Sequence, residues 1–590
     1  DPEAKPKEAG SGETEPAALW LLPRDGGEAR VVGTRPGGVR SPVVAAEAGT
    51  VLVTSMTMPG AITGEDDEQR RAARKDKKIS AVLHSGYPVR YWDHDLGPDQ
   101  PRLLAATPPA GDGAVQWTDL TPAPGAALQE TSADISSDGS TVVTSWQVAE
   151  PHGSSRSTLI TIDLAGGEQR TLADDPDFEF EHPRISPDGH SVAVIRTTRP
   201  TPAEAPHIEL VVLPLTGGEP LVLTNGWDRW PTGLRWTPDS SALIVLADEH
   251  GGAPLFRITV PDGTVTRLTG DHGAYTDPQV APDGRHVYAL RAAVDAPPAP
   301  VRLDARRPDQ QPVLLAGPAQ PPALPGSLVE TTTTAADGSS LRAWLALPVN
   351  AATEPAPLLL WIHGGPLFSW NSWAWRWNPW LMVARGYAVL LPDPALSTGY
   401  GRAFVNRGWG EWGTTPCADL LTFTDATEAL PEIDETRTAA MGGSFGGYMA
   451  NWLAGHTDRF AAIVTHASIW SLDQASRTTD AAYYWLREMT AEMMAANSPH
   501  AHADAITTPM LVIHGDKDYR VPIGEALRLW WDLISGRPDP GDQPHRFLYF
   551  PDENHWILQP QHAALWYETV TAFLAHHVLG KEFEIPALLR

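Results

Sequence analysis

The chain has 590 residues, 42% of them hydrophobic and 20% charged, with a formal net charge of −28. A single hydrophobic core rarely organises more than about 250–300 residues, so two or more domains are expected. The acid excess argues against a nucleic-acid partner, which needs surplus Lys and Arg, and no apolar run reaches the roughly 18 residues that span a bilayer, so no membrane partner is expected either.

In chain order, residues 1–15 are rich in Glu, Lys, Pro and Gly and read as a disordered tail rather than a signal peptide. A cytoplasmic location is the expectation, although numbering from Asp1 leaves a removed upstream segment open. Acidic residues 65–68 followed by the basic stripe 70–78 suit the dipole of one surface helix. From 16 to 326, short β-branched runs alternate with Gly, Pro, Asp and Asn turns, the grammar of many short strands. One unit recurs around Asp138, Asp188, Asp239 and Asp283, at spacings of 50, 51 and 44 residues. Each copy reads as strand, Asp-Gly or Asp-Ser turn, strand, and a second hairpin signal follows. Two hairpins make a four-stranded β-propeller blade, so 16–326 is predicted to be a propeller of six to eight blades, with seven expected.

After Pro325 strands alternate with helices. Apolar runs at 358–362, 388–391, 439–441, 461–465 and 510–513 are predicted strands, and 419–429, 446–454, 524–534 and 562–576 are predicted helices. Residues 327–590 therefore read as a mostly parallel sheet with helices on both faces. Cys417 is the only cysteine, which excludes an intrachain disulfide and thiolate metal clusters.

The sharpest chemical signal is MGGSFGGYMA at 441–450, where a strand end meets Gly-x-Ser-x-Gly and then a helix. That pattern exposes a serine on a strained turn, here Ser444. A serine hydroxyl is a weak nucleophile, so a histidine base and an orienting carboxylate are needed, in the order Ser, Asp, His. The predicted strand at 510–513 runs into HGDKDYRVP and a strand at 546–550 into PDENHWI, which nominates Asp518 and His555. Asp516, only two residues beyond His514, is the less favoured carboxylate. Phe445, directly after the nucleophile, and Gly365, in the HGGP loop, are the expected oxyanion donors. Tryptophans cluster after HGGP, and Trp370 there, with Trp470, is expected to line an apolar substrate pocket. His500, His502 and Asp504 are read as a surface turn, so no metal and no organic cofactor is expected.

HGGP at 363–366, STGYG at 397–401, GGSFGGYMANW at 442–452, HGDKDYRVP at 514–522, FPDENHWIL at 550–558 and YPVRYWD at 87–93 together resemble the prolyl oligopeptidase family, in its acylaminoacyl peptidase and dipeptidyl peptidase 5 types. The resemblance implies a propeller capping an α/β-hydrolase domain, with substrate held between them. It also implies that Arg520, two residues beyond the triad aspartate, holds a substrate carbonyl. Ala395-Leu396 and the segment from His466 to Trp470 depart from the family pattern. The expected function is a serine peptidase that cleaves short peptides near the N-terminus, releasing a dipeptide or an acylated amino acid. An esterase or amidase for a specialised small molecule, and a non-catalytic propeller binding protein, are the alternatives. Homo-oligomerisation stays open.

Overall fold

A computed structural model describes residues 15–109, 111, 113–536 and 543–590. All but the last residue of the expected tail lies outside them. The N-terminal part forms five four-stranded antiparallel sheets in succession, opening with the strands Arg40–Val44, Ala133–Ile135, Phe178–Ile185, Thr232–Trp236 and Ala274–Val280. It is a propeller, with five blades among the described residues where seven are expected. Blade spacing alone overcounts because blade 1 carries a long insertion, residues 58–99, between its second and third strands. The insertion holds helix α1 (Gly64–Asp76) and the short hairpin Arg90–Tyr91/His94–Asp95. Helix α1 is capped by Thr63, whose side chain accepts from the Asp66 amide, with acids in its first turn and bases in its last, as its charge order predicts. A further hairpin, Leu19–Leu21 with Arg30–Gly33, precedes blade 1.

The recurring aspartates explain the period. In each of the last four blades the aspartate closes the turn between the first two strands. Asp188 accepts from Ser186 Oγ (2.6 Å) and His190 N (3.1 Å), and Asp239 accepts from Thr237 Oγ1 (2.7 Å) and Ser241 N (3.2 Å). Gly139, Gly189 and Gly284 follow at positive φ, and Ser240 takes that conformation in blade 4.

The C-terminal part is built on an eight-stranded sheet: β1 (Gly326–Thr334), β2 (Ser340–Pro348), β3 (Ala356–Ile362), β4 (Ala388–Asp393), β5 (Ile433–Gly443), β6 (Ile463–His466), β7 (Met510–Gly515) and β8 (Arg546–Phe550), ordered β1-β2-β4-β3-β5-β6-β7-β8. β2 pairs antiparallel with both of its neighbours, β1 and β4, and the remaining strands pair in parallel. Parallel strands covered on both faces become uniformly apolar, and β3 is buried at every residue. Its even-numbered residues, including Leu358, Leu360 and Ile362, pack with helix α2 (Thr415–Glu428) and helix α3 (Phe445–His456). Leu359 and Trp361 pack on the other face with helix α5 (Pro560–Leu579), and helix α4 (Gly524–Ser535) lies beside β7.

The two parts share many polar contacts. Asp248 of blade 4 accepts from Asn371 Nδ2 (2.8 Å) and Thr398 Oγ1 (2.5 Å), and Trp380 Nε1 donates to Val294 O (2.8 Å). A cavity of about 490 Å³ lies at this boundary, walled by Trp230 and Tyr275 from the propeller and by Leu367 and Trp373 from the segment after HGGP. No helix of the described residues is long and apolar enough to cross a membrane.

The Asp239 turn supplies a test. Its hydrogen bonds hold the carboxyl down at about 2, led by the Thr237 and Ser241 hydroxyls. The stabilisation is complete above the unfolded value near 3.8 and fades as pH falls through about 2. Asp239→Ala is expected to destabilise the propeller by about 1 kcal/mol at neutral pH, with a smaller difference from the parent near pH 2, read by thermal melting at both pH values.

Candidate active site

The turn after β5 carries the first element of the site. Ser444 sits at φ 57° and ψ −122°, a strained conformation that costs of order 1–3 kcal/mol and persists only where neighbours over-determine it. They do so here. The Ser444 amide donates to His466 O (2.9 Å), and Tyr448 N donates to Ser444 O (2.8 Å) as helix α3 begins. The flanking glycines are required by contact distance. A methyl on Gly446 would lie 2.2 Å from Ile362 O, and one on Gly442 would lie 2.4 Å from the Gly446 backbone. Among residues 441–450 only Ser444 is not buried.

Strand order brings the second element close. β5, β6, β7 and β8 are consecutive, so the loops that follow them leave one edge of the sheet. The loop after β7 presents Asp518 and the loop after β8 presents His555, joined by an Nδ1 to Oδ2 hydrogen bond of 2.7 Å. Asp518 Oδ1 accepts from the amides of Arg520 (3.0 Å) and Val521 (2.8 Å), and His514 Nε2 lies 3.3 Å from Oδ2. Burial would raise this carboxyl, but the His555 and His514 rings facing it outweigh burial and hold it well below the usual carboxylate range. With Nδ1 donating to Asp518, His555 keeps Nε2 as its basic nitrogen. Asp516 is exposed and gives its amide to Phe550 O. No hydrogen bond joins Ser444 to His555 among the described residues; the loops that carry them leave the same edge of the sheet.

The amide of Phe445 opens helix α3 directly behind the serine. Across from it, Gly364 packs so closely that a methyl there would lie 3.4 Å from Ser444 Cβ. The Gly364 carbonyl accepts from His363 Nδ1 (2.7 Å), and a planar trans peptide then turns the Gly365 N–H to the opposite side. Gly365 has φ +119°, open to glycine but not to residues with a side chain.

Arg520 reaches the same loops. Its Nε and Nη2 pair with Asp480 at 2.8 and 3.2 Å, and its guanidinium lies 5.0 Å from the Trp92 ring centre. Trp92 belongs to the blade 1 insertion. Its indole stands edge-on to His555 (5.1 Å) and Trp556 (4.7 Å). Trp370 and Trp470, expected at an apolar substrate pocket, are both buried, and neither lines the cavity at the boundary between the two parts. Trp370 is core, giving Nε1–H to Trp361 O (3.1 Å), and Trp470 is fully buried, giving Nε1–H to Asp532 (2.7 Å). Aromatic character did not separate core from surface. Trp377 packs against Gly443, next to the serine, and Trp92 against His555. Sequence reasoning noted the segment 87–93 without giving Trp92 a role, and it missed Asp480, which no motif marks. His466, whose carbonyl holds the serine amide, accepts from Trp566 Nε1 (3.0 Å) and is kept neutral at about 3 by burial and by the nearby His514 and His555 rings.

The sequence model of the prolyl oligopeptidase family matches residues 373–581. Dipeptidyl-peptidase 5 of Porphyromonas gingivalis is 30% identical over 71% of this chain and 62% of its own, and the probable dipeptidyl-peptidase 5 of Aspergillus clavatus is 32% identical over 60% and 50%. The chain thus matches between half and two thirds of the length of these relatives. The fold is similar to that of the Pyrococcus horikoshii acylaminoacyl peptidase, with a TM-score of 0.79 over 97% of this chain and 87% of that one, at 17% identity.

Because its added methyl would collide with the Ile362 carbonyl, Gly446→Ala is expected to displace the turn and slow fluorophosphonate labelling by about tenfold or more. Labelling at the parental rate would refute the geometric requirement.

Proposed function

We propose that this chain, whose residues 373–581 belong to the prolyl oligopeptidase family, is a serine peptidase that releases short N-terminal fragments, dipeptides foremost, through an acyl-enzyme on Ser444. The observation that carries the reading is the Asp518–His555 pair at the sheet edge where Ser444 stands on its strained turn. In this reading residues 16–326 form the propeller domain and 327–590 the α/β-hydrolase domain.

His555 Nε2 takes the hydroxyl proton as Ser444 Oγ bonds to the peptide carbonyl carbon. The carbonyl oxygen becomes an oxyanion, met by the amides of Phe445 and Gly365, each worth about 10²–10³ in rate by analogy with other such donors. The carbon–nitrogen bond then breaks, and His555 returns the proton to the leaving amine. Water, deprotonated by the same imidazole, attacks the ester and frees Ser444. Asp518 stays ionised throughout, as its depressed carboxyl requires, and fixes the His555 tautomer. Arg520 holds a substrate main-chain carbonyl with the donors its pairing leaves unused. Preference for dipeptides rests on the relatives named dipeptidyl-peptidase 5, and a substrate of limited size suits a site walled by a propeller segment.

Ser444→Ala is expected to abolish fluorophosphonate labelling, and Asp518→Asn to lower kcat by about 10⁴ with little change in KM. Purified protein should cleave a free dipeptidyl-anilide faster than an acylaminoacyl-anilide. Labelling that survives Ser444→Ala would remove the mechanism, and the reverse substrate preference would reassign the product.

A further inference from the structure

Asp480 is joined to more of the site than any motif would suggest. Its carboxylate is buried at the end of the segment after helix Leu472–Thr478, far in sequence from the other site residues. Oδ1 accepts from Arg520 Nε (2.8 Å), while Oδ2 accepts from Arg520 Nη2 (3.2 Å) and from the main-chain N–H of Trp92 (2.7 Å). One carboxylate therefore holds both a guanidinium of the hydrolase domain and the backbone of a propeller insertion.

The surrounding contacts make this a junction and not an isolated pair. Tyr519 N donates to Trp92 O (3.0 Å), and Asn554 Nδ2 donates to Asp93 Oδ2 (3.2 Å). On the other side Tyr87 gives its hydroxyl hydrogen to Thr479 O (2.5 Å) and accepts from Ala482 N (2.8 Å), so the insertion grips the chain on both sides of Asp480. Thr479 Oγ1 donates to Arg520 O (2.7 Å). Arg520 is thus held at its guanidinium by Asp480 and at its main chain by Thr479, with the Trp92 ring beside it. A long side chain with several rotatable bonds would otherwise lose conformational entropy on binding substrate, and prior fixing removes most of that cost.

We infer that Asp480 is a positioning residue through which docking of the propeller segment 87–93 orients Arg520 for peptide binding, without taking part in the attack by Ser444. The inference deepens the reading of Arg520 as the ligand of a substrate carbonyl and rests on it. A small ester or a fluorophosphonate has no peptide chain for Arg520 to hold, so Asp480 should matter for peptides and not for them.

The test compares Asp480→Ala, Asp480→Asn, Arg520→Ala and the Asp480→Ala/Arg520→Ala double variant of the full chain. Each is assayed on a dipeptidyl-anilide, on p-nitrophenyl acetate and for fluorophosphonate labelling. Asp480→Ala is expected to lower peptide kcat/KM by about tenfold or more, mainly through KM, while the acetate and labelling rates stay within about threefold of the parent. Asn keeps an acceptor for Trp92 N–H but loses one contact to Arg520, so its loss should be smaller. In the Arg520→Ala background, loss of Asp480 should add little, because coupled residues are non-additive. Equal falls in peptide, ester and labelling rates, or additive losses in the double variant, overturn the inference in favour of plain structural support. Unchanged peptide kinetics in Asp480→Ala overturns it while leaving the serine mechanism intact, and unchanged peptide kinetics in Arg520→Ala overturns the Arg520 assignment with it.

Discussion

A serine held at φ 57° and ψ −122° between glycines is the constraint around which the hydrolase half is arranged. That backbone needs a strand arriving on one side, a helix leaving on the other, and main-chain atoms close enough that a single methyl would collide. Only the middle of a covered parallel sheet supplies such surroundings. β5 lies between β3 and β6, whose ends give the Ile362 and His466 carbonyls that frame the turn. The apolar uniformity of β3 and the helices on both faces follow from the same requirement, since a strained turn is retained only where packing fixes it.

The carboxylates show how one functional group serves opposite ends by environment. Asp518 is buried, yet two imidazoles and two amides favour its ionised form, so it can orient a histidine permanently. Asp248, buried at the boundary between the two parts, forms no ion pair among the described residues. Burial pushes its carboxyl up to about 6, only partly offset by the Thr398 hydroxyl and the Asn371 amide. Asp239, on an exposed turn, is held down chiefly by the Thr237 and Ser241 hydroxyls, with Arg306 of the next blade 3.8 Å away.

The insertion in blade 1 joins the two parts at the chemistry. It lowers the blade count below what the chain length suggests, and it carries Tyr87, Trp92 and Asp93 onto loops more than 380 residues away in sequence. The indole of Trp92 against His555 means that one wall of the site is propeller, although every member of the nucleophilic set comes from the sheet.

Local order decided what was legible. Ser444, Asp518, His555, Phe445 and Gly365 are each tied to a strand end or a turn whose residue pattern is short-range, and the aspartate-centred blade turns are equally local. The sequence by itself therefore determined the two kinds of architecture, the elbow, and the strand-end loops that hold Asp518 and His555. Tertiary structure alone decided the number of blades, the burial of Trp370 and Trp470, and the meeting of Asp480 with Arg520 and Trp92. A tryptophan's hydrophobicity is the same in a core and at a cleft, and a carboxylate's partner is set by packing between distant segments. No spacing within the chain encodes either.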